Sequence, residues 1–239
     1  MLRTPLVQNH LKVILLTSIA PWSFSKAKAF DQCPKQFYHM KILKEFEDVE
    51  TDAMRYGTLM HEAAEHYVRD NIPLDPQFEY VKGALDALVS IKGERLCEYK
   101  MGLTETLEPC GFFAKEVWWR GIADLVILDA ENGRAWVVDY KTGKSARYAD
   151  KGQLELMALA VFKHFPVVKQ VKAGLLFVVC NELVKEEYSS NDQTVLWEKW
   201  LGAYSDMEAA LENDVWNAKP NGLCRNHCPV LDCVHNGRN

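Results

Sequence analysis

The stretch VVDYKTGK, Val137 to Lys144, constrains this chain more than any other. Its apolar start reads as a buried strand, and side chains two apart on a strand share a face. Asp139 and Lys141 therefore stand side by side where the strand ends. A plain surface ion pair contributes only about 0–1 kcal/mol, so the pairing asks for a reason other than stability.

The rest of the chain supplies a frame for that strand. SFSKAKAFDQCPKQFYHMKIL reads as a helix capped by Ser25, and YGTLMHEAAEHYVRD, Tyr56 to Asp70, as a second helix. IPLDPQ is a loop, and FEYVKGALDALVSIKGERL a further helix. CEYKMGLTE, KEVWWRGIADLVILD and RAWVVDYKTG are rich in β-formers, with ENG as the turn between the last two. QLELMALAVFKHF is a helix that stops before Pro166, VKAGLLFVV is another strand, and DQTVLWEKWLGAYSDMEAALEND is a long amphipathic helix. An α/β fold follows, a mixed sheet flanked by helices. With 239 residues, 48% of them hydrophobic, the chain fills one such core.

Two more segments carry chemistry. In RGIADLVILD, Asp124 interrupts an apolar strand. A buried carboxylate is costly unless it is paired or holds a cation; Lys141 and Arg120 are its candidate partners. In GTLMHEAAEHYV, His61 and Glu65 lie four apart on one helix face. One imidazole and two carboxylates suit a hard divalent ion such as Mg²⁺ or Mn²⁺. A lysine beside them can stabilise charge on a phosphate oxygen. That set is what metal-assisted phosphodiester hydrolysis requires.

In this order the motifs resemble the PD-(D/E)XK nuclease superfamily, and within it the RecB-like group that includes CRISPR-associated and phage exonucleases. The resemblance rests on SFSKAKAFDQCPKQFYHMKI, GTLMHEAAE, GIADLVILD, VVDYKTGK and QLELMALAVF. It implies a restriction-endonuclease-like core in a single nuclease domain over residues 1–239. Residues 1–95 form its helical part, 96–180 the core, and 181–239 a last helix and a cysteine-rich tail. It implies His61, Asp124, Asp139 and the main-chain carbonyl of Tyr140 as metal ligands, and Lys141 as the catalytic lysine. Gln153 either supports the site or touches the DNA backbone, and Glu98 has a supporting role. Met157 departs from the pattern, which often has tyrosine there, so a hydrogen bond from that helix is missing or supplied elsewhere.

The tail carries Cys224, Cys228 and Cys233, and Cys33 stands alone in the early CP motif. Several RecB-like nucleases join their two ends through a 4Fe-4S cluster held by one early and three late cysteines, and the resemblance extends that role to these four. Zinc competes, because His227 and His235 lie nearby, and free thiols are the third reading. Cys97, Cys110 and Cys180 are expected in the core.

The net charge of -5 argues against a generic polyanion binder. Local charge differs. Before Glu45 the chain has Arg3, Lys12, Lys26, Lys28, Lys35, Lys41 and Lys44 against Asp31 alone, and Lys141, Lys144, Arg147 and Lys151 form a second basic group. The expected partner is DNA, as single strands or ends, with Trp22, Phe24, Phe37 and Tyr38 available to stack on bases. A recombination or replication protein is a further expected partner, and a membrane is not. KVILLTSIA, Lys12 to Ala20, is read as a strand or an ill-fitting start rather than a signal segment. The cysteine pattern suggests a reducing cytoplasm, that of the host if the chain is phage-encoded.

Overall fold

The computed structural model describes residues 18–46 and 50–238. They fall into two units, one within residues 1–49 and 199–239, the other within 50–198.

In the first unit, helix α1 (Phe24–Gln32) is capped by Ser23, whose side chain accepts from the Lys26 N–H. The cap is thus two residues earlier than the sequence suggests. The single helix expected here also breaks. Cys33 is extended (φ -167), because the ring of Pro34 disfavours helical backbone in the residue before it. A short helix, α2 (Pro34–Phe37), and a π turn, Tyr38–Ile42, follow. Trp22 is fully buried and Phe37 is 1% exposed. Trp22 packs 6.4 Å from Trp200 and 5.9 Å from Tyr204, while Trp216 stacks on Tyr38 at 4.9 Å. Trp22 and Phe37 therefore belong to the core and are not free to stack on bases, a correction to the expectation above. Most of KVILLTSIA, Lys12 to Thr17, lies outside the described residues, and its Ile19 is buried.

The second unit opens with α3 (Asp52–Asp70), capped by Thr51 and ended by Asn71 in the left-handed region (φ 55). Helix α4 (Lys82–Val89) is shorter than the sequence suggests, since its last expected residues, Glu94 to Leu96, already belong to a strand. Six strands form one sheet: β1 (Glu94–Leu103), β2 (Pro109–Cys110), β3 (Trp119–Asp129), β4 (Arg134–Lys141), β5 (Gln170–Phe177) and β6 (Glu182–Ser189). Their order is β2-β1-β3-β4-β5-β6. Only β4 and β5 run parallel, and α5 (Gly152–His164) makes the crossover between them. The turn ENG forms as expected, with Gly133 in the left-handed conformation (φ 62).

Alternation along β4 distributes its side chains to two faces. Val138 and Tyr140 join Met60, Ala64 and Val68 of α3 and Leu85 of α4 in one apolar cluster. The other face is covered by α5, buried on nearly every side from Leu154 to Phe162. Strand β6 was not expected. It is an edge strand, ELVKEEYS, in which Glu182, Lys185, Glu186 and Glu187 break any apolar alternation, a charged composition that discourages further strand pairing. Cys180 lies exposed in the turn before it, outside the core; Cys97 and Cys110 are half-buried. Helix α6 (Gln193–Glu212) follows. No helix among the described residues is long and apolar enough to cross a membrane.

Candidate active site

The sheet register builds the site. β1 and β3 pair from Glu94–Leu128 to Leu103–Trp119 with one gap, between the Cys97–Leu125 and Tyr99–Ala123 pairs, where the register sets Glu98 across from Asp124. The β3–β4 ladder stops at Leu125–Val138, and one step further Asp124 falls opposite Asp139. Glu98, Asp124 and Asp139 thus form a row across three neighbouring strands. Like charges placed so oppose one another. Glu98 carries a further cost, a left-handed backbone (φ 48) within a strand.

Where the ladder opens, Asp124 takes over a backbone donor: its Oδ2 accepts the Tyr140 N–H at 2.6 Å. Its Oδ1 lies 3.3 Å from His61 Nδ1, brought in by α3. Neither Lys141 nor Arg120 pairs with it, contrary to the simplest charge reading; Arg120 lies over the Phe112 ring. Lys141 Nζ sits 2.5 Å from Asp139 Oδ2. The contact is short but poorly directed, and Oδ2 remains buried without a well-formed hydrogen bond. Gln153, from the first turn of α5, ties the pair together. Its Oε1 accepts from Lys141 at 3.0 Å and its Nε2 donates to Asp139. The hydrogen bond that Met157 cannot make thus has a counterpart one turn earlier. Met157 packs over Gly121 instead, where an added Cβ would meet the methionine methyl at 3.1 Å and the Trp119 ring at 2.8 Å.

The electrostatics reflect an excess of negative charge. Burial, then Asp124, pushes the Asp139 carboxyl up to about 6. Burial raises Glu98 as well, followed by Asp124 and Glu65. For His61, burial alone would lower the pKa; the hydrogen bond and charge of Asp124, with Asp139 and Glu98, outweigh it and hold it above the ordinary histidine value. Among the described residues, His61, Glu98 and Asp124 are the one group of three metal-ligating residues whose donor atoms lie within 4.8 Å of one another. They border an open cleft of about 600 Å³. The crowding of Asp139 by Asp124 and this donor set fit a divalent cation, which would relieve the repulsion.

Helix α3 adds Thr58, Glu62 and Glu65 to the same cleft wall. Thr58 and Glu62 escape a search for motifs, yet with His61 and Glu65 they follow the helical i, i+3, i+4 spacing. Glu65 itself pairs with Arg69. The Tyr140 ring is buried, 5.8 Å from His61 and edge-on to it.

The model of the PD-(D/E)XK nuclease superfamily matches residues 21–233. The chain belongs to that superfamily. This nuclease also resembles solved structures along nearly its whole length. The crystal structure of SSO0001 shares 10% identity, covers 96% of this chain and 93% of its own, and gives a TM-score of 0.45. A presumed exonuclease from Eubacterium rectale shares 12% identity, covers 92% and 90%, and gives 0.49. No curated protein matches the chain. Nucleases of this superfamily use divalent metals, in keeping with the donor set.

The nuclease's first unit has a second constellation. Cys33, Cys224, Cys228 and Cys233 line one small cavity together with His235. Burial raises the Cys228 thiol, and its next contributors with that sign are Cys224, Cys33 and Cys233. Backbone N–H groups point at two of the sulfurs, Lys219 N at Cys33 Sγ (3.5 Å) and Asn221 N at Cys224 Sγ (3.4 Å). His227 does not line this cavity.

Proposed function

We propose that this nuclease is a metal-dependent DNA exonuclease of RecB-like type. It hydrolyses phosphodiesters from DNA ends, acts on unpaired strands, and serves recombination, repair or phage DNA processing. The observation that carries this reading is the row of Glu98, Asp124 and Asp139, faced by His61 from α3 and by the Lys141–Gln153 pair. The whole chain, residues 1–239, acts as one nuclease domain.

His61, Asp124, Asp139 and the Tyr140 carbonyl hold Mg²⁺ or Mn²⁺, and Glu98 stands within reach of the same ion. The cation supplies Lewis acidity at the scissile phosphate. Lys141 presents its ammonium to the phosphate oxygen on which charge develops, and orients the attacking water. The P–O bond to the leaving sugar oxygen breaks as the water oxygen bonds to phosphorus, and the water's proton passes to solvent or to the leaving group. Gln153 keeps Lys141 and Asp139 in register through both of its amide atoms.

Cys33, Cys224, Cys228 and Cys233 hold a 4Fe-4S cluster. Zinc is the rival. With Zn–S near 2.3 Å, tetrahedral zinc holds its thiolates about 3.8 Å apart. Backbone N–H groups directed at the Cys33 and Cys224 sulfurs suit thiolates that share the charge of a bound cluster. A cluster gives a brown protein with about four irons, and zinc a colourless one.

Digestion of end-labelled oligonucleotides and closed circular plasmid with Mn²⁺ tests the reading. Loss of linear single strands with survival of circles supports it. Cutting of circles makes the protein a restriction-type endonuclease, and no cutting of any substrate makes it an inactive nucleic-acid-binding scaffold.

A further inference from the structure

With Trp22 and Phe37 buried, the chain between Lys141 and Gln153 offers a base-stacking surface beside the site. Both ends of this segment are pinned at the active site, because those two residues hydrogen-bond each other at 3.0 Å. Within it, the Ala149 N–H donates to the Ala146 carbonyl at 2.9 Å, closing a β-turn with Arg147 and Tyr148 at the central positions. Ala146 is 7% exposed and anchors the turn, whereas Tyr148 is 83% exposed. The Ser145 hydroxyl accepts the Arg147 N–H at 3.2 Å, and Asp150 accepts the Gly152 N–H at 3.0 Å just before α5. The Arg147 guanidinium lies over the Tyr148 ring, 5.3 Å from its centroid.

An isolated exposed tyrosine needs no explanation. This one is presented at the corner of a hydrogen-bonded turn, with a cation stacked on one side of its ring. It is five residues from Gln153, at most about 18 Å of extended chain. Lys144 and Arg147 make no ion pair among the described residues, whereas Lys151 is tied to Glu186, which leaves two cations against the single carboxylate of Asp150. The free charge on the turn is therefore positive, complementary to a phosphate backbone.

We propose that the Ala146–Ala149 turn is a nucleotide platform: Tyr148 stacks on the base of an unpaired nucleotide, while Arg147 and Lys144 hold the neighbouring phosphates of the strand entering the active site. The inference rests on the nuclease reading for the site it serves. It selects unpaired nucleic acid, because only a base free of its duplex neighbours exposes a face to the ring.

The test is equilibrium binding of fluorescein-labelled oligonucleotides, single-stranded and blunt duplex, to the full chain in chelator, where no hydrolysis competes. Tyr148→Ala should weaken single-strand binding about tenfold and leave the duplex arm within about twofold. Tyr148→Phe should keep wild-type affinity and Tyr148→Leu should not, which separates ring stacking from apolar cover. Arg147→Ala should flatten the salt dependence of binding. With Mn²⁺ present, the Tyr148→Ala defect should appear in KM more than in kcat. Equal single-strand affinity in wild type and Tyr148→Ala overturns the platform, and so does equal loss in the Phe and Ala variants. Absence of hydrolysis by the wild type would instead strike the nuclease reading, which this binding assay does not use.

Discussion

The carboxylate row and the cysteine nest are both constellations that suit metals, but they are assembled differently. The row is drawn from β1, β3 and β4 and is placed by strand register, with Glu98 set across from Asp124 at the one gap in the β1–β3 ladder. The nest joins Cys33, next to Pro34, with three cysteines some 190 residues later in an irregular tail. The row is thus rigid whether or not a cation is present. Among the described residues the nest has Cys228, Val230 and Cys233 as its buried apolar core, with Phe46 and Ala218 against it, and under the proposed reading it would lean on the group its thiols hold. The contrast teaches that the first site is supported by the fold, whereas the second, if it holds the proposed cluster, supports it.

The largest expected effect breaks this contrast if it fails. Asp139→Ala should lower DNA hydrolysis by at least about 10³-fold, judged by the loss of preorganised charge stabilisation. Its melting temperature should stay close to wild type, because the sheet does not depend on the cation. Cys33→Ser should do the reverse. Bound metal, followed by elemental analysis and colour, should be lost, and Tm should fall by roughly 10 °C, corresponding to about 3–4 kcal/mol for a chain of this size. If Asp139→Ala unfolds the protein, or Cys33→Ser leaves Tm untouched, the division of labour is wrong.

Two smaller effects sharpen it. The Asp139 carboxyl titrates at about 6 rather than its ordinary 3.8. The folded chain therefore holds that proton more tightly than the unfolded one. Its contribution to stability is present below about pH 4 and is lost as pH rises through about 6. A cation must displace the proton, so Mn²⁺ affinity, measured by calorimetric titration from pH 5 to 7, should fall toward pH 5 by up to about tenfold per unit. His61, also raised, adds to the same trend. Gln153→Ala, which releases Lys141 and Asp139 from their shared amide, should cost about 10- to 100-fold in activity, read as initial rates on a labelled oligonucleotide.

Much of the row was legible in the sequence because local rules place it. The two-residue period put Asp139 and Lys141 together, and helical spacing put His61 and Glu65 on one face. Spacing alone did not show that Asp124 would bond the Tyr140 N–H rather than a basic side chain, since that depends on where the β3–β4 ladder stops. Strand β6 was hidden because its edge position demands charge rather than apolar alternation. The aromatic residues misled for a related reason: composition cannot distinguish Trp22, packed between Trp200 and Tyr204, from Tyr148, raised on a turn.

Glu98 has one more consequence. An L-residue with left-handed backbone is disfavoured by about 1–2 kcal/mol, and here it also faces another carboxylate. Glycine tolerates that geometry, so Glu98→Gly should yield a tougher protein by differential scanning calorimetry and a poorer binder of Mn²⁺. A selection for thermal robustness alone would therefore act first at the candidate site, since the least comfortable peptide of the β1 strand carries a carboxylate that borders its cleft.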